Sequence, residues 1–305
     1  MLTIILNINF FNILHIIMKV KILIMLCFLI FLVFGQKFSE NFNSEEELPY
    51  NIWMYWENRK GKRKPEYLNL CYKTILKHNK KFNIHLLDEK SVFRFLPDLR
   101  KDLDKYMNIP QKADYIRINL LHKYGGIWID SDTIVIKDLS PFIEKLRKYE
   151  FVGFGCTGPD CDTLSSGYPR PSNWLLVSRK NSLVMSKCLE EANNIIKHSP
   201  YIFRIKYHII GRMLLWDVIQ KLKKTGWDYL HMPSKCVEQD SKGFKYINNR
   251  LISNEDYDKK CKDKLFFIPI YNTAPGFPEW FRSMTQKEIL ENDMLISKLF
   301  KLSLK

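Results

Sequence analysis

The segment Gly125–Ile136, GGIWIDSDTIVI, carries Asp130 and Asp132 inside an otherwise apolar run. Charged side chains persist in such a run only where a partner holds them. In extended backbone, side chains two apart point to the same side, so the spacing predicts two carboxylates presented together where a buried strand reaches the sheet edge. Adjacent carboxylates repel unless a cation or a shared proton intervenes, and oxygen-only ligands favour a hard ion, Mn2+ or Mg2+. Such an ion would in turn hold phosphate oxygens. Upstream, Asp114 and Arg117 are three apart and share one face of a predicted helix. They form either a plain intrahelical ion pair or a pair facing a crevice, with Arg117 near a ligand phosphate or sugar and Asp114 accepting hydroxyls.

The elements that must position these residues alternate. Strands are predicted over 51–57 (NIWMYWE), 82–88 (FNIHLLD), 173–178 (NWLLVS) and 265–270 (LFFIPI), with IWI and TIVI flanking the acidic pair. Helices are predicted over 65–79, opened by Pro65, and over 110–126, with Pro110 near its start and two glycines at its end, where the chain turns sharply. Two more cover Asn181–Lys197 and Lys206–Lys224. Alternating strands and helices imply an α/β fold with a mainly parallel sheet covered on both faces, whose ligand crevice lies beyond the strand ends.

At 305 residues the chain can bury a full core. Its 48 Lys and Arg against 33 Asp and Glu give a net charge of +15, suited to an anionic ligand, an acidic membrane surface or nucleic acid. The N-terminus is different in kind. Residues 1–35 carry no Asp, Glu or Arg, and Lys19 and Lys21 directly precede the apolar run Ile22–Gly35. This predicts a signal-anchor over 1–36 with the lysines on the cytoplasmic side, a stem over 37–48, and a single domain over 49–305 on the lumenal or exterior side. A cleaved signal ending at Gly35, which would release the chain, is the alternative.

Outside the apolar segment six cysteines remain: Cys71, Cys156, Cys161, Cys188, Cys236 and Cys261. The even count suits export, although the pairing is open; Cys156 and Cys161 are close enough to staple their own loop. No second close cysteine pair supports a zinc site. No Asn-x-Ser/Thr acceptor occurs.

ADYIRINLLHKYGGIWIDSDTIV resembles the signature of glycosyltransferases with a DXD sugar-binding region, in particular the capsular polysaccharide synthesis type of glycosyltransferase family 32. LPYNIWMYWE and CYKTILKHNKKFNIHLLDEKSV resemble the opening of the same catalytic domain, so the specific likeness covers roughly Leu48 to Phe154. The resemblance implies a GT-A fold, a UDP- or GDP-sugar donor, a divalent metal, and transfer of a hexose with retention to a glycan, lipid-linked or protein hydroxyl. It implies that Asp130 and Asp132 are the catalytic DXD pair, with Asp132 a direct metal ligand and Asp130 serving both ribose and metal. Asp114 and Arg117 would contact the transferred sugar, and Trp53 would sit near the nucleotide base. The distal loop that completes such metal sites has no clear motif match in YNTAPGFPEWFRS, where Asn272, Glu279 and Trp280 are candidates by position and polarity. His208 and Gly211 fall in a recognisable segment without an assigned role.

Two other classes fit parts of the pattern. A haloacid-dehalogenase-like phosphatase would use Asp130 as nucleophile, although no later acidic motif completes its metal site. A non-enzymatic polyanion-binding protein would use the basic surface, but no nucleic-acid-binding module is present.

Overall fold

A computed structural model describes residues 47–155, 169–199, 205–206, 208–233, 265–273 and 276–305, together with Lys19, Lys21 and Met25. The expected signal-anchor, nearly all of the stem, and Cys27, Cys156, Cys161, Cys236 and Cys261 lie outside the described residues. Among the described residues no helix is long and apolar enough to cross a membrane.

In chain order the elements are β1 (Asn51–Tyr55), α1 (Glu66–His78), β2 (Asn83–Leu87), α2 (Ile109–Tyr124), β3 (Gly126–Ile129), β4 (Thr133–Val135), α3 (Ser140–Glu144) and β5 (Phe151–Gly155). There follow β6 (Ser172–Ser178), α4 (Leu183–His198), α5 (Arg212–Lys223), β7 (Leu230–Pro233), β8 (Phe267–Pro269), α6 (Glu279–Ser283), α7 (Gln286–Glu291) and α8 (Leu295–Leu304). Six strands form one sheet in the order β2-β1-β3-β6-β5-β7. β1 pairs parallel with both β2 and β3, and β5 with β7, so the α/β architecture is the mainly parallel one expected. β6 alone runs antiparallel to its neighbours, β3 and β5. That reversal matters, because it brings the start of β6 beside the carboxyl end of β3.

Strand alternation divides the apolar residues between the two faces. Trp53, Tyr55, Trp128, Phe151 and Leu176 join the core beneath α2, α4 and α5, whereas Ile52, Met54, Ile127, Ile129 and Val152 join the one beneath α3. Both faces are buried, which is why these strands read as unbroken apolar runs. A third cluster packs α1 and α8 against the two-stranded sheet β4-β8.

The helix over α2 starts and stops as its sequence dictates. Asn108 caps it, exchanging hydrogen bonds with Gln111 in a capping box, and Pro110 occupies the first turn, where no N–H is needed. Gly125 ends it at φ 66. A Cβ there would stand 2.6 Å from Lys180 N, and one on Gly126 (φ 106) 2.5 Å from Asn51 O, so both positions require glycine for conformation and for room.

Three expectations are corrected. The acidic pair does not ride one continuous strand: β3 ends at Ile129, residues 131 and 132 turn, and β4 enters the second sheet. The helix expected from Lys206 begins at Arg212, because His208 takes a left-handed φ of 73, which a continuing helix does not allow. Cys71 and Cys188 are free thiols buried in separate cores, out of reach of each other.

Candidate active site

The crossover between the two sheets opens into a cleft of about 610 Å³. Asp114, Arg117, Asp130, Asp132, Asn272 and Glu279 all border it. The fold assembles it from six separate places: the end of β1 with the segment after it, the Asp114–Arg117 face of α2, the β3–β4 turn, the start of β6, the residues from His208 into α5, and the segment after β8.

Each aspartate is held by identifiable donors. Asp130 N donates to Trp174 O at 2.9 Å, fixing the turn against β6. Asp130 Oδ1 accepts both Arg117 Nη2 and Trp128 Nε1 at 2.9 Å. Ser131 Oγ donates to Tyr55 O at 2.9 Å, tying the turn to β1. Asp132 Oδ2 accepts Asn272 N at 2.8 Å, and Asp132 O accepts Ile270 N at 2.8 Å. The hydrogen bonds found among the described residues thus fall on one oxygen of each carboxylate.

Arg117 and Asp114 are not a solvent-facing intrahelical pair. Arg117 is buried, with Nη1 3.3 Å from Asp114 Oδ1 and also donating to Asn173 O, while its guanidinium lies 4.7 Å over the Trp128 ring. Asn173 Nδ2 donates to Asp114 Oδ1 at 2.9 Å. One cation therefore bridges the Asp114 and Asp130 carboxylates, and the two residues form the cleft floor with Trp128.

Burial raises the carboxyl pKa of all three aspartates. Asp114 is pushed up to about 6 by desolvation, which Arg117 opposes and the negative charge of Asp130 reinforces. Asp132 is likewise pushed up to about 6, by desolvation first and then by repulsion from Asp130. Asp130 moves in the same direction for the same first reason, with Arg117 and Trp128 opposing; its side chain keeps 36% of its exposure, so cleft water moderates the effect. Three carboxylates share this wall with one bridging cation, and among the described residues the Asp132 carboxylate accepts from a backbone N–H, that of Asn272, and from no side chain. A divalent ion would relieve that imbalance.

The residues present fit a hard cation. Asp130 and Asp132 each offer an oxygen, and Asn272 Nδ2 is buried without a hydrogen-bond partner beside them. Exchanging the O and N of that amide would turn an oxygen ligand to the same place. Glu279 borders the cleft but is an exposed partner of Arg282 at 3.2 Å. Among the described residues no group of three His, Cys, Asp or Glu side chains is placed to hold a metal, so water and ligand oxygens would complete the shell.

Trp53 is not where a base-binding residue would be. It is 1% exposed, stacks on His85 at 4.4 Å and donates Nε1 to Gly125 O at 2.8 Å, so the whole indole serves the core. Tyr55, Trp56 and Glu57 border the cleft in its place, because β1 carries the chain to the rim two residues later. The exposed Trp280 stands next to the cleft residue Glu279. His208 is in the wall, and Gly211 packs on Asp114.

Sequence reasoning missed Asn173, Arg212, Trp216, Tyr271 and Arg282, all of which border the cleft. Tyr271 carries a φ of 54 and His208 one of 73, so two of the three non-glycine residues with left-handed backbone among those described line this site. Strain of that kind persists only where surrounding structure enforces it. Nothing in a single sequence marks a tyrosine for it.

Residues 31–236 match the family described as "Capsular polysaccharide synthesis protein". An "Uncharacterized glycosyltransferase L373" of Acanthamoeba polyphaga mimivirus is 32% identical over 84 residues, 26% of this chain and 34% of that protein, so the match spans about a third of the relative's length. Among solved structures, the glycosyltransferase GlyE of Streptococcus pneumoniae TIGR4 aligns at 13% identity over 85% of this chain and 61% of its own, with a TM-score of 0.44. The galactosyltransferase LgtC, solved in complex with donor and acceptor sugar analogs, aligns at 15% identity over 59% of this chain and 72% of its own, with a TM-score of 0.34.

Proposed function

The chain belongs to the capsular polysaccharide synthesis protein family, and from that premise we propose that it is a metal-dependent glycosyltransferase of the GT-A type. It moves a hexose from a UDP- or GDP-sugar to a hydroxyl of a glycan, lipid-linked or protein acceptor, with retention of configuration. The observation that carries this reading is the meeting, in one cleft, of Asp130 and Asp132 with the Asp114–Arg117 pair. The cleft volume of about 610 Å³ is in the range that encloses a small ligand.

As the bond between sugar and phosphate breaks, negative charge builds on the departing nucleotide diphosphate. Groups that stabilise this charge more than they stabilise the intact donor accelerate the step. Asp130 and Asp132, with Asn272, would hold Mn2+ or Mg2+, which supplies charge neutralisation to the diphosphate when bound. Asp114 accepts hydroxyls of the transferred sugar, and Asn173 and Arg117 hold its carboxylate in position. Arg117 is itself immobilised by Asp130 and the Trp128 face, so it enters the reaction already oriented. Leaving-group stabilisation needs no strong protein base, and none is assigned. The N-terminal apolar segment would keep the domain on a membrane, facing the lumen or exterior.

The test is nucleotide release by the full chain in detergent from a panel of UDP- and GDP-sugars with Mn2+, with EDTA, and after Asp132→Ala. Release from one donor that disappears under both treatments supports the reading. A folded protein that neither binds nor turns over any donor overturns it.

A further inference from the structure

The cleft carries more positive charge than its donor would need. Six cationic and five acidic side chains line it. The acidic ones are largely engaged: Glu57 pairs with Lys112 at 2.6 Å, Glu279 with Arg282, and Asp114 and Asp130 with Arg117. Arg59, Lys62, Arg63 and Arg212 also face the cleft, and none of them has an acidic partner among the described residues. A nucleotide-diphosphate donor does not use up this excess, because its two negative charges are matched by the divalent ion bound with it.

Arg212 is the best placed of the four. It begins α5 directly after Gly211, whose own position is packed on Asp114. It therefore stands beside Asp114, next to the residue packed on that carboxylate. Its guanidinium lies 5.4 Å from the Trp216 ring, and Arg170 lies 4.7 Å from the same ring. Trp216 Nε1 donates to Pro171 O at 2.7 Å, so the indole is a fixed platform for the Arg212 guanidinium. His208, in the same wall, has its imidazole pKa lowered by burial and by the charge of Arg212, so at neutral pH it is an uncharged hydrogen-bonding group.

Resting on the glycosyltransferase reading, we propose that the acceptor is an acidic saccharide, and that Arg212, held by Trp216, binds its phosphate or carboxylate on the Asp114 side of the cleft. Arg59, Lys62 and Arg63, which also border the cleft, add to the same positive field. A neutral saccharide gains nothing from these cations and leaves them to water.

The experiment uses the full chain in detergent with Mn2+ and the donor identified as above. Glucose, glucuronic acid, glucose 6-phosphate and their short oligosaccharide counterparts are compared as acceptors, on wild type and on Arg212→Gln. Donor hydrolysis without acceptor is recorded alongside. Acidic acceptors should show a KM at least about tenfold below that of the neutral ones, a preference that weakens with added salt and that Arg212→Gln abolishes while donor hydrolysis continues. Equal use of neutral and acidic acceptors overturns the proposal, as does loss of donor hydrolysis in Arg212→Gln, which would assign the arginine to the donor. If no donor is turned over, the glycosyltransferase reading fails separately. Quenching of tryptophan fluorescence by glucose 6-phosphate but not glucose, lost in Arg212→Gln, then still reads the anion site, and equal response to both sugars refutes it.

Discussion

Gly211→Ala isolates the part of the site that depends on packing rather than charge. Gly211 has a φ of −87, outside the left-handed region that favours glycine, so the room around its Cα is what an alanine tests. Its Cβ would fall 2.2 Å from Asp114 Oδ2, 2.8 Å from Asp114 Cγ and 2.9 Å from Asn173 Nδ2. Ordinary contact begins at 3.4 Å, so the Asp114 carboxylate or the start of α5 must retreat by about 1.2 Å. Neither is the loose end of a flexible chain. The carboxylate is held by Asn173 at 2.9 Å and lies 3.3 Å from Arg117, and α5 is anchored in the core by Leu214, Leu215 and Val218.

Overpacking of this size costs about 1–3 kcal/mol of stability. The effect on turnover should be larger, because misplacing a substrate-positioning group by about 1 Å can cost about 100-fold. The measurement is kcat/KM for donor hydrolysis beside urea unfolding, with Gly226→Ala as a control for glycine replacement in general. Gly226 has open space around it but a φ of 85, so its alanine variant should lose stability and keep activity. The decisive comparison is a double-mutant cycle. If the methyl acts by displacing Asp114, then Gly211→Ala on an Asp114→Ala background should cost almost nothing more in activity. A Gly211→Ala enzyme with wild-type kcat/KM, or full additivity in the cycle, refutes this reasoning.

Other consequences test separate links. The folded-state pKa of Asp132, near 6, lies above its unfolded value near 3.8, so folding favours the protonated form and stability is lost as pH rises through about 4 to 6. Asp132→Asn should therefore be more stable than the metal-free wild type at pH 7.5, by about 1–3 kcal/mol, and no more stable at pH 4; Mn2+ should raise the Tm of wild type and leave that of the variant unchanged. Lys112 is buried between Glu57 and Asp104, each at 2.6 Å, and these partners raise its pKa against the opposing effect of burial. Lys112→Met should cost about 3 kcal/mol in urea unfolding, whereas Lys187→Ala, which removes an exposed pair with Glu190 at 2.7 Å, should leave the urea midpoint essentially unchanged. Trp53→Phe should lose about 1–3 kcal/mol by leaving Gly125 O buried without its donor, with the KM for the donor sugar unchanged; a raised KM at unchanged stability would return Trp53 to the nucleotide site.

How far the sequence could be read depended on whether a feature was local. Pro110, Gln111 and Gly125 act within a turn or two of backbone, and the start and stop of α2 follow from them. The apolar runs at 51–55 and 126–129 announce strands buried on both faces. Asp130 and Asp132 stood out because charge in an apolar run is costly, Asp114 and Arg117 because their spacing puts them on one helix face, and all four border one cleft. Partners far along the chain left no such mark. Asn272 reaches Asp132 across 140 residues, and Asn173 reaches Asp114 across 59, through strand pairings that no single-sequence pattern specifies. Trp53 misled for a related reason: an aromatic residue within a strand has the same signature whether it faces the cleft or the core. The answer lies in how far along the strand it stands: Tyr55, on the same face two residues later, reaches the cleft, whereas the carbonyl of Gly125 claims the indole N–H of Trp53.

The break between β3 and β4 ties these points together. A continuous strand would have pointed both aspartates to one side of one sheet, where mutual repulsion and burial act on both alike. Turning at Ser131 and sending β4 into a second sheet puts Asp130 under the control of Arg117 and Trp128, and Asp132 under the backbone of the segment after β8. The two carboxylates therefore belong to different structural units, with Asp130 already partnered by a cation and Asp132 not. A divalent ion shared between them would reduce the repulsion and join the β8 segment to the main sheet, so its binding energy would order the same segment that carries Asn272 and Arg282. On that argument the observable to watch is local: hydrogen exchange at Ile270 and Asn272, whose amides are bonded to Asp132, should slow on adding Mn2+, while exchange in the β1–β3 ladder should not change. Equal slowing in both places would mean that the cation stabilises the domain as a whole, and unchanged exchange at Asn272 would separate Asp132 from the cation altogether.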